Sequence, residues 1–196
     1  MVTRVVLDRP VAVSDGLDKL REGSPEAVGE IYDRHHVALR AFARRLVGDD
    51  DAAEDLVQEV FVTLPKTLGR LHEGASVSSF LISIAINHAR HYIRAAERRR
   101  RALEKLSLEP EPDAHAVTPE RATTDRELAR LLVRALDTLP LDQRVAFVLL
   151  DVEDRTAGEA ATIAGVPEAT MRTRLFHARK RLRAWLTEKG YVDALR

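Results

Sequence analysis

Residues 157–176 read Ala157-Gly-Glu-Ala-Ala-Thr-Ile-Ala-Gly-Val-Pro167-Glu-Ala-Thr-Met-Arg-Thr-Arg-Leu-Phe176, the spacing of two helices meeting at a tight corner. Ala160, Ile163 and Ala164 fall three and four apart, and Ala161 is small where a second helix must come close. Gly165 supplies the left-handed backbone that a short inter-helix turn requires. Val166 fills the corner, Pro167 suits the first turn of the next helix, and Met171 and Leu175 pack back. The outward side of that helix carries Glu168, Thr170, Arg172, Thr173, Arg174, His177, Arg179 and Lys180. From Glu168 to Arg183 there are six Lys and Arg against one acid, a local charge of +5. A helix-turn-helix with so basic a second helix suits a DNA reader: its N-terminal half reaches base edges and its flank lies on phosphates. A solvated basic face that complements the helix dipole is the competing explanation. Gly158 and Arg155 are expected to weaken or expose the supporting helix.

Upstream, the same helical period recurs. Residues 25–47 set Ala27, Val28, Ile31, Tyr32, His35, Leu39, Phe42, Ala43 and Leu46 at steps of three and four. Residues 52–64 continue with Leu56, Val57, Val60, Phe61 and Leu64. A third helix runs from Ser76 to about Arg100, with Val77, Phe80, Leu81, Ile84, Ala85, His88 and Tyr92 inward and Ser76 or Ser78 as its cap. Between Ser107 and Thr124, Pro110, Pro112 and Pro119 fall among Glu109, Glu111, Asp113 and Glu120, the composition of an extended acidic linker. Helical spacing resumes from Arg126 to Leu139, stops at Pro140, and continues from Asp142 to about Asp151. The last helix spans Glu168 to about Leu186. The fold class read from this is all-α: an N-terminal extension over 1–23, helical modules over 24–106 and 125–190, and a flexible linker over 107–124.

Composition bounds the function. The 196 residues contain no cysteine, which excludes disulfides, thiolate metal sites and cysteine nucleophiles. No stretch approaches the 18 or so apolar residues of a membrane span, and the apolar start is broken by Arg4 and Asp8, unlike a secretory signal. A cytoplasmic chain without membrane insertion is expected. The pairs His88-x-x-His91 and His35-His36 are the histidines at ligand-like spacing, and neither has the H-E-x-x-H arrangement. No phosphate-binding glycine loop or Ser/His/Asp set is present. The reading is therefore not an enzyme, with no metal or cofactor.

The segment Asp51-Ala-Ala-Glu-Asp-Leu-Val-Gln-Glu-Val-Phe61 opposes an apolar face to one carrying Asp51, Asp55, Gln58 and Glu59. Taken alone it fits a solvated helix start, where acids complement the dipole. Together with the second module it resembles the extracytoplasmic-function group of the sigma-70 family of bacterial RNA polymerase sigma factors. That family's D-A-E-D-L-V-Q-E-V-F motif is matched within Asp51–Phe61, where Ala53 to Phe61 reproduce its last nine residues. Its L-P-x-x-Q-R motif is matched by Leu139-Pro-Leu-Asp-Gln-Arg144, and its T-V-K-S-R-L-x-R-A-R-x-x-L tail by Thr170 to Leu182. The opening Leu20-Arg-Glu-Gly-Ser-Pro-Glu-Ala-Val-Gly-Glu-Ile-Tyr32 also fits. The resemblance extends over about residues 17–190.

What the resemblance implies is promoter-specific initiation. Asp51, Asp55, Gln58 and Glu59 would dock on the clamp helices of the largest polymerase subunit, and the second module would meet the flap of the second-largest. His72, Ser76, Ser78, Asn87, Arg90, Arg94 and Arg98 would read and open the −10 element. Glu168 through Lys180 would read the −35 element, and a separate anti-sigma factor would regulate the protein. Several residues depart from the family's pattern: Pro65 and Phe80 replace Trp, Val77 replaces Phe, Ser83 and Ile86 replace Arg, and Pro167 replaces a Ser cap. Pro65 is expected to kink or end its helix near Leu64. A stand-alone helix-turn-helix regulator is the alternative; it explains residues 157–183 but leaves the Asp51–Phe61 motif without a use.

Net charge sums to zero, 31 basic against 31 acidic residues, yet it is segregated. Residues 88–101 hold six Arg and one Glu, another +5, while the acids gather on 49–59 and in the linker. Such a chain should bind DNA poorly alone and depend on a partner that covers its acids.

Overall fold

The computed structural model describes residues 24–71, 76–105 and 124–191. Within them the chain is all-α, with seven α-helices. The expected N-terminal extension over 1–23, the candidate residue His72 and all of the expected 107–124 linker except Thr124, which begins a helix, lie outside the described residues.

Helix α1, Pro25–Val47, starts where Ser24 Oγ accepts from the Ala27 N–H, and ends at Gly48, whose φ of 79° is left-handed. Helix α2, Asp50–Thr67, is capped by the Asp49 carboxylate, which accepts from the Ala52 N–H at 2.7 Å. It runs two residues past Pro65 rather than ending at Leu64, then tightens into a 3₁₀ turn over Leu68–Arg70. Pro65 removes one backbone donor. The Thr67 hydroxyl donates to the Thr63 and Leu64 carbonyls, and buried Leu64 and Leu68 hold this last turn on the core.

Helix α3, Val77–Lys105, begins with the Phe80 N–H donating to the Ser76 carbonyl. Leu81, Ile82, Ile84, Ala85, Ile86 and Ala89 are buried, whereas every residue from Arg94 to Leu103 is exposed. Tyr92, expected inward, is 47% exposed. The buried arc is wide because α3 is covered from two sides, by α1 and α2 and by the second module.

That module comprises α4, Thr124–Asp137; α5, Leu141–Phe147, continued by a π turn over Val148–Val152; α6, Ala157–Ala164; and α7, Glu168–Glu188. Ala146, Leu149, Ala160, Met171 and Ala178 are fully buried at its centre. The two modules pack directly: α1 meets α4 and α5, and α3 meets α5 and α6. Their apolar residues form one contiguous core, a contact that helical spacing within each segment did not predict.

Candidate nucleic-acid interface

The corner between α6 and α7 is built as its sequence dictates. Gly165 adopts φ 66°, ψ 40°, and the Val166 N–H returns to the Ala161 carbonyl at 3.0 Å. Ala160, Ala161, Ile163 and Ala164 are all buried and Met171 has no exposed surface. The supporting helix is better made than Gly158 suggested. Thr156 Oγ1 accepts from the Glu159 N–H at 3.2 Å, while the Glu159 carboxylate accepts from the Thr156 N–H at 2.8 Å. This capping box was legible as T-x-x-E. Pro167 stands at the cap, just before the first turn, with its carbonyl accepting from Thr170 and Met171.

On α7, Glu168, Arg172, Thr173, His177, Arg179 and Lys180 are exposed, and Thr170 and Arg174 are half-buried. Phe176, absent from the sequence-derived set, is 65% exposed and meets His177 edge-on at 5.5 Å. Three arginines of this helix already have acidic partners. Arg172 pairs with Glu168 one turn back. Arg174 Nη2 donates to Asp142 at 2.7 Å. Arg179 grips Asp151 through two bonds of 2.8 and 2.6 Å, which raises its guanidinium pKa above the ordinary arginine value. Asp142 and Asp151 come from α5 and its π turn, so no local pattern announced them.

The other candidate surface lies on α3. Asn87 is exposed and its Oδ1 accepts from Arg90 at 3.1 Å; Arg94 and Arg98 follow on the exposed extension. Ser76 is half-buried at the helix start. Ser78 is a correction: it lies inside the helix rather than at its cap, and at 3% exposure it is buried with Leu81, Ile82 and Ala85, three, four and seven residues on, rather than presented on the surface. Beside Asn87 opens a cavity of about 560 Å³, walled by Ser83, Asn87, His88 and His91 of α3 and by Thr162 and Ile163 of α6. His88 is fixed by a 3.0 Å hydrogen bond between its Nε2 and the Thr63 hydroxyl.

Asp51, Asp55, Gln58 and Glu59 are all exposed along α2. Val62, 58% exposed, extends that strip by one turn. Its place outside the buried register of Val57, Val60, Phe61 and Leu64 was the available signal. No described helix is long and apolar enough to cross a membrane.

Comparison with known proteins follows this division. The Sigma-70 region 2 family model matches residues 31–99 and the Sigma-70 region 4 model residues 129–182, together more than half of the chain. ECF RNA polymerase sigma factor SigM of Mycobacterium tuberculosis is 29% identical over 171 residues, covering 87% of this chain and 81% of its own. RNA polymerase sigma factor CarQ of Myxococcus xanthus is 29% identical over 172 residues, 88% and 96% of the two chains. Among solved structures, sigma factor RpoE from Bartonella quintana, in complex with the anti-sigma factor NepR, superposes with a TM-score of 0.61 at 27% identity over 81% of this chain and 97% of that one. CnrH in complex with the cytosolic domain of CnrY, at 24% identity, a TM-score of 0.63 and coverage of 88% and 96%, shares the fold. The chain belongs to the extracytoplasmic-function group of the sigma-70 family and is an RNA polymerase sigma factor that directs promoter-specific transcription initiation.

Proposed function

We propose that the two modules divide initiation between them as three surfaces. The first module, over 24–106, docks on core polymerase and reads and melts the −10 element. The second, over 125–190, reads the −35 element and meets the flap of the second-largest subunit, with the linker over 107–124 between them. The observation that carries this division is charge segregation: acids on the exposed side of α2, cations on the exposed parts of α3 and α7.

Asp51, Asp55, Gln58 and Glu59 meet a basic surface on the clamp helices of the largest subunit, where complementary charge sets register and speeds encounter. Asn87, Arg90, Arg94 and Arg98 face the −10 strand. Side-chain amide and imidazole groups such as Asn87 and His91 suit an unstacked base, and the arginines suit its phosphates. Glu168, Thr170, Arg172, Thr173, Arg174, His177, Arg179 and Lys180 enter the −35 major groove. We also infer an anti-sigma partner, because the solved relatives include sigma factors bound to one, and a cytoplasmic location.

Transcription in vitro with core polymerase tests the division. The chain should support initiation on its promoters, and the double substitution Asp55→Ala/Gln58→Ala should abolish both initiation and co-purification with core. Retained co-purification would remove α2 from the docking surface.

A further inference from the structure

We propose that His177 is a specificity determinant of the reader helix whose charge selects the base: protonated, it favours guanine at one position of the −35 element, and neutral, it takes adenine there instead. This rests on the proposed −35 role of α7 and deepens it. Helix α7 turns about 100° per residue, so its inward side, Met171, Leu175, Ala178 and Leu182, fixes which residues point straight away from the core. Those are Thr173, Phe176, His177 and Lys180, all exposed along α7 or nearly opposite its buried stripe. Arg172, Arg174 and Arg179 stand on the flanks, each turned to an acid, respectively Glu168, Asp142 and Asp151. The outward arc meets the floor of a groove first, and its side chains differ in what they offer a base edge. Phe176 has no hydrogen-bonding group. The Thr173 hydroxyl already donates to the Ala169 carbonyl at 2.9 Å, and Lys180 can only donate. His177 is the long side chain of this arc that can both donate and accept. It makes no hydrogen bond or ion pair among the described residues, and the Phe176 ring meets it edge-on at 5.5 Å. In the tail motif matched over Thr170–Leu182 this position is an arginine, which only donates.

Neutral imidazole presents one N–H and one bare nitrogen, and imidazolium presents two N–H groups. In the major groove guanine shows two acceptors, N7 and O6, whereas adenine shows one acceptor beside its N6 amine. A charged His177 therefore repeats the arginine's choice of guanine, while a neutral one can accept from the adenine amine. Imidazole changes charge within about pH 5–8. The charged groups that face His177 lie on α7 itself: Arg174, Lys180 and Arg181, three or four residues away. On the elements packed against α7, the acids are held elsewhere. Asp142 of α5 holds Arg174, Asp151 of the π turn holds Arg179, Glu159 of α6 caps Thr156, and Asp137 of α4 holds Arg144. No acid among them competes with DNA for the imidazole.

Holoenzyme reconstituted from core polymerase and the full chain is offered promoter DNA randomised over the −35 element, and the bound fraction is sequenced at about pH 5.5 and about pH 8. One position should pass from guanine to adenine, with a guanine preference of about fivefold or more at the lower pH. His177→Arg, permanently charged, should keep guanine at both values. His177→Gln, which cannot charge and pairs with adenine, should keep adenine at both. A parent preference that is the same at both pH values, or a shift that persists in His177→Gln, would overturn the proposal. If Arg172→Ala or Arg174→Ala still altered selection in that case, −35 reading by α7 would stand without it. A library that shows no preference anywhere in the element would overturn the −35 role of α7 and the proposal together.

Discussion

Helices α3 and α7 carry the same excess of five positive charges in their basic stretches, yet they hold it in different physical states. On α7 the charge lies over a core. Met171, Ala178 and Leu182 are buried beneath it, and Arg172, Arg174 and Arg179 are each aimed by an acid. On α3 the extension from Arg94 to Leu103 is exposed throughout, and Arg94, Arg98, Arg99 and Arg101 make no ion pair with any described residue. The first arrangement fixes geometry and mutes the long-range field. The second leaves the field bare and the geometry loose. On the proposed division, equal charge suits unequal tasks: α7 would compare base edges, and the end of α3 would attract a backbone of any sequence.

The comparison is most easily broken at the foundation of α7. Met171→Ala removes a fully buried side chain and should cost about 2–5 kcal/mol of folding stability, measured by chemical denaturation. Ala96→Gly on the exposed part of α3 should cost only about 1 kcal/mol, the helix-propensity difference. Equal losses would mean that the α3 extension is as firmly supported as the reader helix.

Next in size is the reading itself. Arg172→Ala and Arg174→Ala should each weaken −35 use by about 1–3 kcal/mol if the side chain meets a base, and should relax sequence preference at one position. Competition between promoter variants measures this. Unchanged selection in both would remove them from the reader surface.

Much of this contrast was legible in the sequence. Gly165, the small residues of α6 and the Met171–Leu175 spacing specify the corner because a local turn has few solutions, and the acids of α2 fell outside the buried register by period alone. What stayed hidden was long-range. Nothing near Arg174 or Arg179 in the chain points to Asp142 or Asp151, which lie 32 and 28 residues away. Ser78 was misread because a serine near a helix start fits a cap as well as a small interior residue. Ile86, at a position where the family often has Arg, is fully buried.

A smaller effect separates the two helices by salt. Arg98→Ala/Arg101→Ala should lower promoter affinity of the holoenzyme alike for all sequences. It should also flatten the dependence of log affinity on log salt by about 0.7–0.9 for each lost phosphate contact. A change confined to one promoter sequence would show that α3's end reads bases.

The smallest effect tests whether an acid on α7 restrains its arginine or positions it. Arg179 is 61% exposed while its partner Asp151 is 22% exposed, so their ion pair is largely screened and should contribute no more than about 1 kcal/mol to stability. Asp151→Asn preserves the shape and one acceptor oxygen but removes the negative charge. If the carboxylate merely neutralises Arg179, the variant should bind promoter DNA a few-fold more tightly at low salt, with a salt dependence steeper by about one phosphate contact. If the carboxylate holds the guanidinium at the angle the groove requires, affinity should fall and the salt dependence should flatten. The paired state of α7 predicts the second outcome, because a bidentate grip fixes the plane of the guanidinium as well as its charge. Tighter binding would make α7 a muted version of α3 rather than a different kind of surface.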